Sequence, residues 1–250
     1  MSLPLQGKVA FVSGAGKNIG REIALTLARD GATVLVNGRS DKAAVAEVVK
    51  TIESAGGKAV AAMGDVSDPA SGAQLAEAGQ KLGGVDILVS NAGLRRQTSF
   101  LDMSFEEWRQ ILGVALDGAF LLGKVFVPQM VAKGNGGAFV AISGISTHVG
   151  TPNRCHVAAS KAGLEGLMRA LAIELAPHGI TANSIAPGSV DTVRGAAAGA
   201  RPSTLGDSTI PLGRKASVDD IAAMVRHLAG PEGAYITGQT IHVNGGLYLT

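Results

Sequence analysis

The 250-residue sequence is poor in cysteine and tyrosine and has almost no excess of either charge. Its one cysteine, Cys155, cannot form a disulfide within the chain, which suits a reducing compartment. The 22 basic and 20 acidic residues leave a net charge of +2, too small to neutralise a row of nucleic-acid phosphates. The N-terminus has no long apolar core, and no apolar run approaches about 20 residues. We therefore expect a cytoplasmic protein that binds neither nucleic acid nor membrane.

Apolar residues and glycine are abundant in this chain. Hydrophobic residues make up 46% of it, charged residues 17%, and 35 positions are glycine. This composition can bury a large core, which excludes a disordered chain. Neither an interdomain linker nor a low-complexity segment divides the sequence. We predict a single domain over residues 1–250.

Short β-branched runs alternate with longer segments of helical period. In the second such segment Val45, Val48 and Ile52 form one helical stripe. The strand candidates are apolar enough to be covered on both faces, as in a parallel sheet. The predicted strands are 8–13, 34–36, 59–63, 85–89, 137–142, 180–185 and 240–243, and the predicted helices are 19–30, 41–55, 69–82, 105–133, 157–176 and 218–229. This order predicts an α/β fold, a doubly wound Rossmann sheet of about seven parallel strands with helices on both faces.

Residues 189–212 have no clear period and contain several glycines and prolines. A long, weakly patterned segment inside a compact fold is often a lid over a site. A surface loop with one short helix is the alternative.

A glycine-rich turn, Ser13-Gly14-Ala15-Gly16-Lys17-Asn18-Ile19-Gly20, stands between the first strand and the first helix. Glycines there let the backbone approach a pyrophosphate, which the helix N-terminus attracts. Polar or glycine-bearing ends also follow later strands: Asp65-Val66, Asn91-Ala92-Gly93 and Pro187-Gly188. Open α/β sheets bind their ligands at this carboxyl edge.

With Lys161-Ala162-Gly163 and the C-terminal segment 238–246, these motifs resemble the short-chain dehydrogenase/reductase family over the whole chain. The family has glycine at three places in the first turn; Gly14 and Gly20 match the outer two, and Asn18 stands at the middle one. Asparagine tolerates the left-handed conformation, so the turn can still form. The resemblance implies a cofactor site made by Ser13, Gly14, Lys17, Asn18, Ile19, Gly20, Asn37, Arg39, Ser40, Asp65, Val66, Asn91, Ala92, Gly93, Lys161, Pro187, Gly188, Val190 and Thr192.

The residues after the second strand indicate which cofactor is bound. A member of the family that prefers NAD usually has an acid at the position of Gly38, where it binds the ribose 2′-hydroxyl. Arg39 and Lys17 are instead two cations that could both contact a 2′-phosphate. We predict NADP(H) in preference to NAD(H), the alternative being that Arg39 only caps a solvated loop.

The catalytic positions depart from the family pattern. The resemblance implies a tyrosine, a lysine four residues later, a serine and an asparagine, which shuttle a proton while hydride is transferred. Taking Lys161 as the lysine places Val157, Gly144 and Ala115 at the other three positions. None of these side chains has a proton to give, although general acid catalysis contributes typically 10² to 10⁴ in rate.

Two histidines are candidate replacements for the missing proton donor. If the register shifts by one residue, Ser143 and His156 take the serine and tyrosine positions. Against this shift, His156 and Lys161 would lie about 140° apart around a helix, unless the helix begins only at Val157. His148 is the second candidate, since histidine titrates near neutrality. The alternative, which the small number of histidines favours, is that each histidine is an ordinary loop residue. We take Lys161, His148, His156 and Ser143 as the candidate catalytic set.

Three arginines flank the segments that border the substrate cleft in the resembled family. Arg95 and Arg96 follow Asn91-Ala92-Gly93, and Arg154 precedes the helix of Lys161. Guanidinium groups bind carboxylates and phosphates bidentately, which favours an anionic substrate. Solvation, or pairing with Asp102 and Glu106, is the competing interpretation.

The sequence thus predicts an NADP(H)-dependent oxidoreductase acting on a small, anionic carbonyl or alcohol substrate with an atypical proton donor. Two alternatives stay open: a non-catalytic NADP(H)-binding protein, and a lyase, isomerase or hydrolase that uses the same cleft. The resemblance also implies a homotetramer, or a homodimer, in which the helices 105–133 and 157–176 pair across a two-fold axis.

Overall fold

The computed structural model describes residues 3–193 and 210–250. It contains one sheet in the order β3-β2-β1-β4-β5-β6-β7, and all six strand pairs are parallel. The strands are β1 Val9–Val12, β2 Thr33–Gly38, β3 Lys58–Met63, β4 Ile87–Ser90, β5 Gly137–Ile142, β6 Ile180–Pro187 and β7 Thr240–Val243. The predicted single-domain Rossmann sheet of seven parallel strands is confirmed.

Helices connect the strands. They are α1 Asn18–Arg29, α2 Lys42–Ser54, α3 Gly72–Gln80, α4 Phe105–Leu112, α5 Gly118–Lys133, α6 Ser146–Val149, α7 Cys155–Leu175 and α8 Val218–Ala229. A π-helical turn, Gly113–Asp117, joins α4 to α5, so the predicted helix 105–133 is continuous but not uniformly α. Because α7 begins at Cys155, the idea that His156 precedes the helix is wrong.

Two hydrophobic clusters cover the two faces of the sheet. Strand β1 divides between them, with Ala10 and Val12 on one side and Val9 and Phe11 on the other. The first cluster takes side chains from α1, α2 and α8, and the second from α3, α5 and α7. Helices therefore cover both faces, as alternation of strands and helices requires.

Strand β3 corrects the expectation that every strand is covered on both faces. Three of its six residues are exposed, among them Val60 at 43%. The reason is position, since β3 is the edge of the sheet and α2 covers only part of it.

The helix Phe105–Lys133 is long and apolar enough, by length and composition, to cross a membrane. Lys124 and Pro128 interrupt its apolar run, although its mean hydropathy stays high. Its Leu122 and Phe126 are buried in the second cluster against the sheet. This is the arrangement of a core helix.

Only part of the predicted lid is described. Val190 forms a parallel bridge with Ala216, and Ile210 is buried. Residues 194–209, the greater part of the predicted lid, lie outside the described residues.

Candidate active site

The glycine-rich turn has the backbone that its sequence predicts. Gly14 has φ +60° and Asn18 has φ +52°, so asparagine adopts the left-handed conformation at the middle position. A Cβ on Gly20 would lie 2.3 Å from Gly14 O and 2.5 Å from Asn91 Nδ2, which no side chain tolerates. A Cβ on Gly14 would lie 3.1 Å from Ala92 Cα. The turn is therefore closed against the end of β4.

Buried polar side chains fix this turn to the neighbouring strands. Ser13 Oγ accepts hydrogen bonds from the backbone N–H groups of Asn91 at 2.9 Å and Ala92 at 3.0 Å. Asn91 Nδ2 donates back to Ser13 O at 2.9 Å, and Asn37 Oδ1 accepts from Gly14 N at 3.3 Å. Ser13 is fully buried, so it supports the site from beneath.

A cleft of about 430 Å³ opens above the turn at the carboxyl edge of the sheet. Lys17 is the N-cap residue of α1, but its side chain accepts no hydrogen bond from the first N–H groups of the helix. These N–H groups are therefore open to an anion. The predicted cofactor residues that line the cleft are Gly14, Lys17, Asn18, Ile19, Gly20, Asn37, Arg39, Ser40, Asp65, Val66, Asn91, Ala92, Gly93 and Thr192. Ser13, Lys161, Pro187, Gly188 and Val190 are not among its lining residues. The glycine cradle and the open helix end fit a dinucleotide.

The residues at the end of β2 and directly after it show why no acid stands at position 38. A Cβ on Gly38 would lie 2.5 Å from Val45 Cγ2, so α2 fills the space that a larger side chain would need. Arg39 Nη1 lies 3.9 Å from Asp65 Oδ2, with more than half of the arginine side chain exposed. Burial acts to raise the pKa of Asp65, but hydrogen bonds from Ser67 and the Arg39 charge outweigh it and lower the pKa. Asp65 is thus a carboxylate that orients Arg39 at the rim of the cleft.

The three positions assigned to serine, tyrosine and asparagine have no titratable group. Ala115 and Val157 are buried, and Ala115 lies within the π-helical turn. Such turns often mark functional sites, and at this position of the turn stands only the methyl group of Ala115. Around Gly144 the space is open, since the nearest atom to an added Cβ is Ser146 Oγ at 3.9 Å. A serine would therefore fit at this position.

Lys161 lies where β4 and β5 end. Its Nζ donates a hydrogen bond to Ile142 O and would lie 3.6 Å from a Cβ added to Gly93, one of the residues that line the cleft. Burial and the nearby Arg95 charge lower the pKa of Lys161 to about 8, while Glu165 acts to raise it. The amine can therefore exchange a proton near neutral pH.

The buried carboxylate of Glu165 contacts two of the candidate catalytic residues, Ser143 and His148. Ser143 Oγ donates to Glu165 Oε1, as does Thr147 Oγ1 at 3.1 Å, and His148 Nε2 lies 3.3 Å from the same oxygen. Glu165 follows Lys161 by four residues on one face of α7, a spacing that could have signalled it. The Ser143 hydroxyl is thus bonded to a carboxylate and not to a histidine.

His148 also belongs to a cluster of three rings. Its ring centroid lies 4.6 Å from that of His242 and 5.0 Å from that of Tyr248. Burial lowers the pKa of His242, with the His148 charge adding to the effect and Glu165 opposing it. The cluster connects the short helix α6 to β7 and the C-terminal segment.

His156 lies between α7 and α4, fully buried. Its Nε2 is 3.1 Å from Glu107 Oε1, which also accepts from Thr98 Oγ1 at 2.6 Å. The structure does not bring Ser143 and His156 together as the shifted register requires, because they contact Glu165 and Glu107 respectively.

The three arginines are placed differently from one another. Arg95 lines the cleft, whereas Arg96 Nη1 lies 4.0 Å from Glu107 Oε2. The sequence suggested Asp102 and Glu106 as partners of the arginines, and Glu107 is neither of these. Arg154 is buried at the start of α7.

Comparison with known proteins identifies the family. Residues 14–248 match the family model described as enoyl-(acyl carrier protein) reductase. A short-chain dehydrogenase/reductase of Armillaria gallica is 39% identical over 252 residues, covering 97% of this chain and 96% of its own. The chain belongs to the short-chain dehydrogenase/reductase family. The 3-oxoacyl-[acyl-carrier-protein] reductase FabG of Escherichia coli K12 is 39% identical over 247 residues, covering 98% of both chains.

Two further relatives are named as sugar or sugar-acid dehydrogenases, and one of them was solved with bound NADP. The L-rhamnose 1-dehydrogenase (NAD(P)(+)) of Sphingomonas sp. SKA58 is 37% identical over 248 residues, 98% of each chain. A protein assigned as an NAD(P)-dependent gluconate 5-dehydrogenase from Beutenbergia cavernae, solved with NADP at low occupancy, superposes with a TM-score of 0.91 at 38% identity. It covers 99% of both chains. The relatives are thus NAD(P)-dependent oxidoreductases.

Proposed function

We propose that the protein is an NADP(H)-dependent oxidoreductase that transfers hydride between the cofactor and a small, anionic carbonyl or alcohol compound in the cytoplasm. The observation that carries the proposal is the intact nucleotide cleft, with the amine of Lys161 next to Gly93 at one end. NADP(H), when bound, supplies or accepts the hydride. By resemblance to its family, we propose that the protein works as a homotetramer, or as a homodimer.

The chain's own residues support binding of the phosphates. The uncapped N-terminus of α1 and the Lys17 charge favour the pyrophosphate. Arg39 is exposed at the rim and able to bind a 2′-phosphate, and Gly38 has no carboxylate that could bind the ribose 2′-hydroxyl. These features favour NADP(H) over NAD(H).

Calorimetric titration with NADP⁺ and NAD⁺ tests this preference. We expect NADP⁺ to bind more tightly, and Arg39→Ala to weaken NADP⁺ binding about tenfold while NAD⁺ binding changes little. Tighter binding of NAD⁺ to the native protein, or equal weakening of both cofactors in the variant, would overturn the preference.

We propose Lys161 as the group that exchanges the proton. In carbonyl reduction the hydride adds to the carbonyl carbon, and the Lys161 ammonium gives a proton to the oxygen, which forms the alcohol and leaves a neutral amine. With a pKa of about 8, the ammonium is present at neutral pH and readily loses its proton. His156 is buried against Glu107, and His148 contacts Glu165, so both histidines already have carboxylate partners.

A pH profile separates these donors. We expect the reduction rate to be level below about pH 8 and to fall about tenfold per pH unit above it. Lys161→Arg keeps the charge but holds its proton, so the rate below about pH 8 should fall by about 10² or more and the decline above that pH should disappear. An unchanged rate in Lys161→Arg, with loss in His148→Ala or His156→Ala, would assign the proton to a histidine.

Arg95 supports an anionic substrate. It lines the cleft and is close enough to Lys161 to lower the pKa of that amine, so two cations adjoin the same end of the cleft. We expect Arg95→Ala to raise the KM for a carboxylate substrate more than Arg96→Ala, whose guanidinium contacts Glu107. Unchanged affinity in both variants would exclude an arginine site for the anion.

The decisive experiment follows NADPH absorbance with a panel of ketones, aldehydes and keto-sugar acids. We expect turnover by the native chain. The matched variant combines Ala115→Asn, Gly144→Ser and Val157→Tyr. The second candidate function is a non-catalytic NADP(H)-binding protein. It is favoured because the native residues at these three positions have no side-chain proton to transfer. Turnover only in the variant would select it.

A further inference from the structure

The side chain of Asn18 forms a pair of hydrogen bonds with a distant part of the chain. Its Nδ2 donates to Val193 O at 3.0 Å, and its Oδ1 accepts from Val193 N at 3.0 Å. One carboxamide thus binds both backbone groups of a single residue, as a neighbouring strand would. Asn18 and Val193 both line the nucleotide cleft, so the contact joins two of its walls.

Asparagine fits both the backbone conformation at position 18 and the contact with Val193. The backbone at Asn18 has φ +52°, which glycine and asparagine adopt most readily. Glycine has no side chain to offer, and aspartate could accept from Val193 N but not donate to Val193 O. The replacement of the family's middle glycine by asparagine therefore preserves the turn and adds the two hydrogen bonds to Val193.

The two hydrogen bonds of Asn18 hold one end of the backbone segment 190–193. Val190 is bridged to Ala216, and Asp191 N donates to Ala216 O at 2.8 Å. Thr192 lines the cleft between this bridge and the Asn18 pair. The Val193 side chain is 84% exposed, so apolar packing does not hold it in place. Thr192 is thus flanked by backbone hydrogen bonding to Ala216 on one side and by the two hydrogen bonds of the Asn18 side chain on the other.

We propose that Asn18 is a positioning residue that holds Thr192 and Val193 against the glycine-rich turn and slows the release of bound NADP(H). The proposal rests on the nucleotide part of the proposed function and is independent of the proton donor. The two hydrogen bonds act on the wall of the cleft, so their effect falls on cofactor dissociation. Hydride transfer needs no contribution from the asparagine itself.

Stopped-flow release of NADPH, followed by its fluorescence during a chase with excess NADP⁺, tests the proposal. We expect Asn18→Gly to raise the dissociation rate constant about tenfold, because it keeps the left-handed turn and removes both hydrogen bonds. Asn18→Asp should release NADPH at least as fast as Asn18→Gly, because its carboxylate oxygen would face Val193 O and its charge would repel the pyrophosphate. Equal rates in all three proteins would overturn the proposal.

Amide hydrogen exchange of Val193 in the cofactor-free protein gives a second readout. We expect protection in the native chain, and loss of it in Asn18→Gly with the circular dichroism spectrum unchanged. Equal exchange of Val193 in both proteins would show that the pair does not hold this backbone, and would overturn the proposal. If the native chain does not bind NADPH, the proposed function fails together with the release effect. Normal binding with unchanged release removes the positioning role alone.

Discussion

At the scale of single residues, Lys161 is a group whose charge the fold opposes. Burial and the Arg95 charge lower its pKa to about 8, against the opposing effect of Glu165. Its hydrogen bond to Ile142 O provides one acceptor for the ammonium. A lysine ordinarily loses its proton only near 10.5, so the folded state binds that proton more weakly than the unfolded chain.

We predict a rise in the free energy of unfolding with pH that depends on this amine. Below about pH 8 Lys161 is protonated in both states and the folded protein bears the full cost of its charge. Between about pH 8 and 10.5 the unfolded chain binds more protons, so stability increases. Urea denaturation at about pH 7 and about pH 10 should show this rise in the native chain and not in Lys161→Met. Parallel pH dependence in both proteins would contradict the lowered pKa.

Residues with a local sequence signal were predictable, and those defined by contacts across the fold were not. Arg39 and Lys17 could be placed at the cleft because they follow a strand or stand in the glycine-rich turn. The carboxylate of Glu165 meets Ser143 only after β5 and α7 pack, and the two are 22 residues apart. His156 is a comparable case, since its partner Glu107 lies 49 residues away on another helix.

At the scale of elements, the glycine-rich turn is the most constrained segment of the cleft. Its conformation depends on a left-handed residue at Gly14 and on the close approach of Gly20 to Gly14 O. Ser13 and Asn91 attach it to the end of β4. A small change of side chain at Gly20 therefore acts on the whole turn.

We predict that Gly20→Ala destabilises the fold by about 1 to 3 kcal/mol, the typical cost of overpacking. Its new methyl would lie 2.3 Å from Gly14 O, so the turn must shift and NADP(H) affinity should fall as well. Gly166→Ala is the matched control, because it lies in α7 with no atom within 4 Å of the added Cβ. That control should gain up to about 1 kcal/mol in stability from helix propensity. Equal stability of both variants by urea denaturation would show that the turn is not closed as described.

The order and type of the regular elements followed from the sequence, whereas their local irregularities did not. Strands β5 and β7 and helix α8 have the predicted bounds, because turn residues or a Ser217 cap delimit them. The π-helical turn between α4 and α5 was not predictable, since one extra residue in a long apolar helix barely changes its periodicity. Helix α6 has four residues, too few to show a period.

At the scale of the whole molecule, the sheet order determines where the site lies. Strands β1 and β4 are neighbours, and the chain leaves them toward opposite sides of the sheet, so the glycine-rich turn and Asn91 meet at the point where the strand order reverses. Open α/β sheets bind ligands at such a point. The family resemblance could predict this topology, but the contacts that close the turn, such as Ser13 with Asn91, required the three-dimensional arrangement.

The surface of the described chain carries exposed apolar side chains where the proposed tetramer would pair its subunits. On the helices, Phe105 is 71% exposed, Phe120 53% and Ile173 79%, and Leu249 near the C-terminus is 81% exposed. Isolated apolar residues are common on protein surfaces, and the proposed tetramer would cover these side chains in its contacts. We propose the helices and the C-terminal segment as the two kinds of interface that such a tetramer needs.

We predict that sedimentation velocity gives the native chain a mass about four times that of one subunit. Phe120→Asp should halve this mass, because a carboxylate buried in a helix-to-helix interface is strongly disfavoured. Leu249→Asp should halve it through the other interface, and the double variant should sediment as a monomer. Val60→Asp is the matched control, since Val60 is also apolar and 43% exposed but lies on the edge strand β3, at the opposite end of the sheet from β7. An unchanged mass in both single variants, or a smaller mass in Val60→Asp, would exclude these helices and the C-terminal segment as the contact surfaces.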